Sequence, residues 1–283
     1  MRFRRLAMTL HLGPACPVFM LKAYFDDSGN GDQAVGGCIA SVESWDDFET
    51  AWSAVLADFH VQWFHATDFE QAPQHRDEHR VPGYGPMSDD ERQAFRVALL
   101  KVLNTKIGIG LPRGGYVSSI VEPTEKQWLN ALDVIDKRGN KRGRDRSETE
   151  RITDELVAMT NDPYCACVSS CLYTAVTEFA EPLDETIFIF LAHQPKRTGL
   201  GTHVYAMATS SARYGRRFAG IRHGLCMNPR EVVPLQGADY AAYYMAKAAR
   251  NPSHDVASWV NAQMHPQKRV VVPFTGWASR WLS

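Results

Sequence analysis

The sequence predicts a single α/β domain with helical insertions, and three observations carry that prediction. Residues 22–40 contain two short apolar runs around a Gly/Asn turn, which is typical of a β-hairpin. Residues 186–191 form an almost continuous run of aromatic and β-branched side chains, as expected of a buried strand. The segments between and after these runs repeat apolar residues at helical spacing.

The composition is that of an ordinary globular protein. The 283 residues are 45% hydrophobic and 22% charged, which allows an ample core without disulfides or a structural metal. The net charge is −1, so the average charge favours no class of partner. The six cysteines include no C-x-x-C pair, which predicts reduced, buried thiols and a cytoplasmic protein.

The N-terminal segment is set apart from the rest of the chain. Residues 1–19 are Arg-rich and weakly apolar, but His11, Gly13 and Pro14 interrupt the apolar stretch that a signal peptide needs. We expect residues 1–19 to be a flexible extension and residues 20–283 to be the single domain, with a helical extension at its C-terminal end. No run of about 18 apolar residues exists to predict a membrane span.

The hairpin contains the first candidate site. Its first apolar run ends on the adjacent carboxylates Asp26 and Asp27. A carboxylate at a strand end costs free energy unless water, a cation or a hydrogen bond offsets the loss of hydration. The alternative is a solvated Asp-Ser-Gly turn, because Asp and Gly are common turn residues. The hairpin by itself does not decide between the two.

A helix and a second polar strand end follow the hairpin. Ser44 is a predicted cap, with a carboxylate three residues later, for a helix whose aromatic stripe belongs to the core. Residues 61–64 predict a short strand that ends on His65 and Asp68. This strand would again deliver polar side chains at its end.

The middle of the chain alternates between helices and strands. Ser88 to Glu91 is a capping box that opens a helix, and Pro163 is a predicted first helical position for a helix over 164–179. Cys167 and Cys171 lie four apart in that helix and are interpreted as small core thiols. Strands are predicted over 107–111, 116–121 and 218–224, and further helices over 125–135, 147–160 and 205–217.

The last third of the chain supplies one more acidic residue. A helix over 234–246 is rich in Ala and Tyr and carries Asp239 near its start, at the margin of its apolar stripe. A helix N-terminus tolerates Asp well, so a surface role is the simple interpretation. A short helix over 255–264 and an edge strand over 270–272 complete the chain.

Two basic stretches contrast with the neutral average charge. Residues 136–146 contain six basic residues and two glycines, including Arg142 and Arg144, and the helix over 205–217 ends on Arg213, Arg216 and Arg217. Such stretches are either solvated excursions or contacts for nucleic-acid phosphates. The sequence leaves both interpretations open.

Three ordered motifs resemble the family called domain of unknown function 3800, placed in the ribonuclease H-like superfamily. Tyr24 to Gly29 (YFDDSG) is similar to the opening strand motif Tyr-x-Asp-Glu-Ser-Gly. Trp63 to Asp68 (WFHATD) resembles a strand that ends Phe-His-x-x-Asp, and Leu235 to Tyr240 (LQGADY) resembles the helix motif Leu-Gln-x-Ala-Asp. The resemblance covers roughly residues 20–250, and the three motifs in order make it fairly specific.

The resemblance implies a mixed five-stranded sheet flanked by helices, with a carboxylate cluster at the edge of the sheet. Carried over to this chain, the metal-binding residues are Asp26, Asp239 and, from the second motif, Asp68. Mg²⁺ or Mn²⁺ takes such oxygen ligands, and two such ions can activate water against a phosphodiester. Asp27 is expected to bind the metal or orient a ligand water. His65 is expected to donate a proton or hydrogen bond nearby.

Two departures from the family pattern qualify the expected activity. Asp27 stands where the family usually has Glu, and the strand over 186–191 continues as Ala192-His193-Gln194, without the acid that relatives often place there. His193 is a poor substitute for a charged oxygen ligand of Mg²⁺. The sequence therefore predicts a metal-dependent nuclease-like hydrolase acting on nucleic acid. The alternative is a catalytically degenerate module that binds nucleic acid or a partner on the same fold.

Overall fold

The protein is an α/β structure in which helices flank a mixed β-sheet. A computed structural model describes the following residues: 20–28, 33–71, 84, 86–108, 114–121, 163–179, 186–192, 226–228, 230–264 and 267–271. The predicted extension over residues 1–19 and the stretches 125–135, 136–146, 147–160 and 205–224 lie outside this part of the chain.

Six strands form the sheet in the described residues. They are β1 (Met20–Asp27), β2 (Gln33–Ser41), β3 (Gly115–Val121), β4 (Thr186–Ala192), β5 (Cys226–Met227) and β6 (Gln267–Val271). Their order across the sheet is β5-β4-β1-β2-β3-β6. The pairs β1–β2 and β2–β3 are antiparallel, while β1–β4, β4–β5 and β3–β6 are parallel. The predicted hairpin, the strand near residue 186 and the late edge strand are confirmed.

Six α-helices accompany the sheet in the same residues. They are α1 (Val42–Asp58), α2 (Ala66–Gln71), α3 (Asp89–Leu103), α4 (Pro163–Phe179), α5 (Val233–Arg250) and α6 (Asp255–Gln263). Within the described residues, none of them is long and apolar enough to cross a membrane. The capping box of Ser88 and Glu91 is present at the start of α3.

Alternation along the strands separates two hydrophobic cores. Tyr24, Cys38 and Tyr116 face one side, where they pack in a core with α1, α3, α5 and α6. Phe25 and Val117 face the other side, against α4. The first core contains most of the buried aromatic residues, and its side of the sheet is the one that Tyr24 and Asp26 share.

Three local predictions are wrong. Ser41, not Ser44, is the N-cap of α1, because its hydroxyl accepts the Ser44 N–H and the helix begins at Val42. Residues 61–64 do not form a strand. The N–H of Phe64 is bonded to a side chain of α5, so no neighbouring strand receives it. Residues 104–108 form a π-helical turn that extends α3, so the predicted strand over 107–111 does not begin there.

Helix α5 packs very closely on the sheet. A Cβ atom on Gly36 would lie 2.9 Å from the Ala242 Cα, and the thiol of Cys38 lies 3.7 Å from the carbonyl oxygen of Gly237. Gly36 is directly opposite Asp26 in the β1–β2 ladder. Small residues on both surfaces therefore bring α5 against the end of β1, one helical turn from Asp239.

Candidate acidic site at the end of the first strand

Asp26 is a buried carboxylate at the end of β1. Only 9% of its surface is exposed, and its Oδ1 accepts the N–H of Asp27 at 2.8 Å. Burial raises its pKa well above the usual range, and the nearby charges of Asp239 and Asp27 raise it further. The ionised form of Asp26 is therefore disfavoured unless a positive charge is close.

Asp239 reaches the same place from α5, and it is buried, not at the surface as the helix pattern suggested. It is 5% exposed, and burial is the main cause that raises its pKa to about 6. The charges of Asp27 and Asp68 also raise that pKa, whereas His65 and the Ala66 N–H lower it. Asp239 thus disfavours the ionisation of Asp26, while burial, Asp27 and Asp68 disfavour the ionisation of Asp239.

One oxygen of Asp239 has a structural task. Its Oδ2 accepts the N–H of Ala66, the first residue of α2, at 2.6 Å. A carboxylate at this position satisfies a helix N–H that has no partner within the helix itself. This bond fixes the start of α2 against α5, and it leaves Oδ1 as the oxygen that a cation can take.

His65 and Asp68 lie beside this pair, at the start of α2. Their Nδ1 and Oδ2 atoms are 3.0 Å apart, with side-chain exposures of 38% and 24%. The contact is electrostatic, because Nδ1 makes no aligned hydrogen bond. The structure thus brings Asp26, Asp27, Asp68, Asp239 and His65 into one electrostatically connected group, with His65 and Asp68 on its solvent side.

Two side chains hold the segment that leads to His65. The Gln236 Oε1 accepts the Phe64 N–H at 2.9 Å and the Trp52 indole N–H at 3.1 Å. The Tyr84 hydroxyl accepts the His65 N–H at 3.1 Å and donates to the Trp63 carbonyl at 3.0 Å. These bonds satisfy the backbone of a segment that has no sheet partner.

Helix α2 is anchored to α3 and α5 by a buried ion pair. The Arg96 Nη2 lies 2.9 Å from the Glu70 Oε1, and Arg96 also donates to the Tyr244 hydroxyl at 3.0 Å. Arg92 donates to the carbonyl of Phe69 and lies over its ring, 4.4 Å from the centroid. The position of Asp68 therefore depends on a buried network as well as on the Asp239 bond.

Sequence reasoning assigned no role to Gln236, Tyr84, Glu70 or the two arginines of α3. Gln236 lies within the motif of residues 235–240. A polar residue on the buried face of that helix could have indicated a buried hydrogen bond. Arg92 and Arg96 are spaced four apart and flank Phe95 on the inward stripe of α3, which was a second signal. No sequence signal identified Tyr84.

The donor atoms suit a hard divalent cation in kind, since carboxylate oxygens from separate elements converge and repel one another. Within the described residues, however, no three His, Cys, Asp or Glu side chains form a group that could hold a metal ion. Asp26, Asp68 and Asp239 are thus not a ready three-ligand set. A cation there would need water or phosphate oxygens to complete its shell, as Mg²⁺ commonly does.

The parallel neighbour of β1 brings no acid to the site. Leu191 is in register with Phe25, so Ala192 lies next to Asp26 across the ladder. Ala192 is buried and packs into the first core. His193 and the predicted phosphate contacts Arg142, Arg144, Arg213, Arg216 and Arg217 lie outside the described residues.

Comparison of the chain with protein-family models, with curated proteins and with solved structures found no match.

Proposed function

We propose that this protein is a metal-dependent phosphodiester hydrolase acting on nucleic acid, built on a ribonuclease H-like fold. The observation that carries the proposal is a pair of buried acids from separate elements: burial and the charge of Asp239 raise the pKa of Asp26, and burial with the charges of Asp27 and Asp68 raises the pKa of Asp239. Strongly raised pKa values of this kind, in a group of titratable side chains, are typical of functional sites. A bound cation would offset the repulsion.

The strand order supports the fold part of the proposal. Three antiparallel strands, β1 to β3, are extended by β4 and β5, which run parallel to β1. The sequence resemblance implies a mixed five-stranded sheet, and these five strands form a mixed sheet. Strand β6 is added at the far edge, beside β3. The two acids come from the first strand and a late helix, as the resemblance also implies.

The residues have distinct tasks in the proposed reaction. Asp26 and Asp239 would hold the Mg²⁺ or Mn²⁺ ion, with Asp68 as a further carboxylate beside them. The ion would supply charge neutralisation for the phosphate and activation of water. Asp27 would orient a water, and His65, partly exposed beside Asp68, would exchange a proton with the leaving or attacking oxygen.

A nucleic-acid partner and a reducing location belong to the same proposal. The five arginines at 142, 144, 213, 216 and 217, which lie outside the described residues, would neutralise backbone phosphates. Cys38, Cys165, Cys167 and Cys171 are buried. A cytoplasmic location would keep such thiols reduced.

Cleavage assays with a matched pair of variants test the proposal. Asp26→Asn keeps the shape of the side chain but removes its charge, whereas Asp58→Asn makes the same change at an exposed position on α1. Single- and double-stranded DNA and RNA should be cut by the wild type with Mg²⁺ or Mn²⁺. Asp26→Asn should lose this activity and Asp58→Asn should keep it. Equal behaviour of wild type and Asp26→Asn on all four substrates would refute the enzymatic proposal.

A second candidate is a degenerate module that binds nucleic acid or a protein partner without cleavage. Two observations favour it: Ala192 stands where an acid would complete the site, and the described residues contain no three-ligand group. It predicts salt-dependent binding without turnover. Calorimetry with Mn²⁺ separates the candidates. The hydrolase requires that the wild type bind Mn²⁺ with measurable heat and that Asp26→Asn give none, whereas the degenerate module has no such requirement.

A further inference from the structure

Two pairs of an aromatic ring and a cation reach the surface on opposite sides of the acidic site. The Arg230 guanidinium carbon lies 4.6 Å from the centroid of the Trp63 ring. The Lys247 ammonium lies 5.0 Å from the centroid of the Tyr243 ring and donates to its hydroxyl at 2.8 Å. The other such contacts in the described residues, those of Arg92 and Arg96 with Phe69, are buried in the core.

The Tyr243–Lys247 pair is the partly exposed part of an otherwise buried stretch of α5, and Tyr243 also packs against the first core. Over residues 234–248 of α5, every side chain except those of Tyr243 and Lys247 is buried. Tyr243 follows Asp239 by one turn and Lys247 follows it by two, so both lie near the Asp239 face, about 6 and 12 Å further along the axis. The helix thus presents an aromatic ring and then a cation to solvent as it leaves the acidic site.

The Trp63–Arg230 pair lies in the opposite direction along α5. Gln236 bonds the Phe64 N–H and Asp239 bonds the Ala66 N–H, so this segment runs alongside α5 in the same direction. Trp63 therefore lies towards the beginning of α5, where Arg230 precedes the helix. The Trp63 ring is 6.0 Å from the His65 ring, which connects this pair to the acidic site.

We infer that the two pairs bind successive nucleotides of a single-stranded nucleic acid, so that the strand crosses the acidic site with an internal phosphodiester at Asp26 and Asp239. This inference rests on the proposed function and gives it a substrate form and an internal point of cleavage. Unpaired bases stack on aromatic rings and on guanidinium planes. Cations beside the rings match the phosphates that accompany each stacked base.

Binding without cleavage tests the inference separately from the enzymatic proposal. The parent protein is Asp26→Asn in the presence of a chelator, and the probe is a fluorescein-labelled oligothymidylate of about 12 nucleotides, within the usual range of site sizes. Anisotropy then gives the affinity as a function of salt for the parent and for variants with one further substitution. The matched control is Lys101→Ala, an exposed lysine on α3.

The rings and the cations should fail in different ways. Tyr243→Ala and Trp63→Ala should each weaken binding by about fivefold or more, because each removes a stacking surface. Lys247→Ala and Arg230→Ala should each lower the slope of log affinity against log salt by about 0.7, because each removes one phosphate contact. The control should change neither quantity. Tyr243→Phe keeps the ring and should keep the affinity of the parent.

Several results would overturn the inference. One is that the parent does not bind at all, and another is that Lys101→Ala loses as much affinity as the variants of the two pairs. A third is that a duplex of the same length binds more tightly than the single strand. The last is that substitutions in only one of the two pairs weaken binding, while those in the other pair have no effect. Melting temperatures of all variants exclude a loss of fold as the cause. If the wild type cuts nucleic acid, a closed circular single strand should be cut as readily as a linear one. Absence of all cleavage would contradict the proposed function and leave the binding result to decide the strand path.

Discussion

At the scale of single residues, the chemistry of this protein is concentrated in two acids that a folded protein normally avoids burying. Asp26 and Asp239 are each surrounded by core residues and by other carboxylates. Burial disfavours the charged form of each, and the neighbouring charge adds to that effect. Folding in the absence of a cation therefore works against the ionisation of both groups.

This conflict predicts a measurable effect of pH on stability. The folded pKa of Asp239, about 6, is higher than its ordinary value of 3.8. The folded state therefore binds more protons than the unfolded state between about pH 4 and pH 6. The contribution of Asp239 to the free energy of unfolding should fall as pH rises through that window, by about 3 kcal/mol in total. Urea unfolding in a chelator, across this range, measures it.

Asp239→Asn isolates that contribution, because the amide oxygen can still accept the Ala66 N–H while the charge is absent. The variant should be more stable than the wild type at about pH 7, and the difference should shrink towards about pH 4. Asp58→Asn, at an exposed position, should show no such trend. A variant less stable than the wild type at neutral pH would mean that the bond to Ala66 outweighs the repulsion.

At the scale of elements, α5 organises the site through contacts made within about one helical turn. Gln236 holds residues 52 and 64, Gly237 lies against Phe48, and Asp239 holds the start of α2. These contacts join α5 to α1, to the segment before α2 and to α2 itself. The motif of residues 235–240 therefore contributes Asp239 to the site and also holds the surrounding segments against α5.

Loss of Gln236 should destabilise the protein by leaving two buried donors without an acceptor. Gln236→Ala removes the oxygen that accepts from Trp52 and Phe64. Each orphaned donor costs about 1–3 kcal/mol, so the free energy of unfolding should fall by about 2–6 kcal/mol in urea titrations. Gln62→Ala, which truncates an exposed glutamine, should change it by less than about 0.5 kcal/mol. An equal effect of the two changes would contradict the role of Gln236.

Gly237 tests the tight packing of α5 on α1. A Cβ atom there would lie 2.6 Å from the Phe48 Cζ, so the ring must move. Gly237→Ala should cost about 1–3 kcal/mol of stability, the usual range for overpacking, despite the higher helix propensity of Ala. In a Phe48→Leu background the same change should cost clearly less, since the ring atom is gone. A double-mutant cycle measured by urea unfolding gives the coupling between the two changes. Absence of coupling would mean that the Phe48 ring is not the source of the cost of Gly237→Ala.

Local signals explain which elements the sequence could predict. The hairpin, the capping box at Ser88 and helix α5 depend on neighbouring residues, and their predictions are confirmed. Residues 61–64 look like a strand because their side chains are apolar and aromatic. The Phe64 N–H donates to Gln236 and the Trp63 carbonyl accepts from Tyr84, so neither pairs with a strand, and such distant partners leave no local trace.

The burial of Asp239 was unpredictable for a related reason. Its helical position places it at the margin of an apolar stripe, which normally means partial exposure. The close approach of α5 to β2 at Gly36 covers it, and α2 lies over it from the other side. Convergence with Asp26 could be expected from the motif order alone, whereas the absence of a three-ligand group required the structure.

At the scale of the whole molecule, the site exists only when residues more than 200 positions apart are folded together. Strand β1 contributes Asp26, the segment before α2 contributes His65, and α5 contributes Asp239. A ligand that binds this assembled site and not the unfolded chain must stabilise the entire fold. Metal binding can therefore be measured through global unfolding, without any assumption about the reaction.

Mn²⁺ should raise the melting temperature of the wild type in a concentration-dependent way. An ion at a hundredfold excess over its dissociation constant adds about 3 kcal/mol, which corresponds to a shift of several degrees for a chain of this size. The shift should be larger at about pH 8 than at about pH 5.5, because at the lower pH the ion must displace protons from Asp26 and Asp239. Asp26→Asn should remove most of the shift, while Asp58→Asn should retain it. A flat response of the wild type at millimolar Mn²⁺ would favour the degenerate module, in which the two acids repel each other with no cation to offset them.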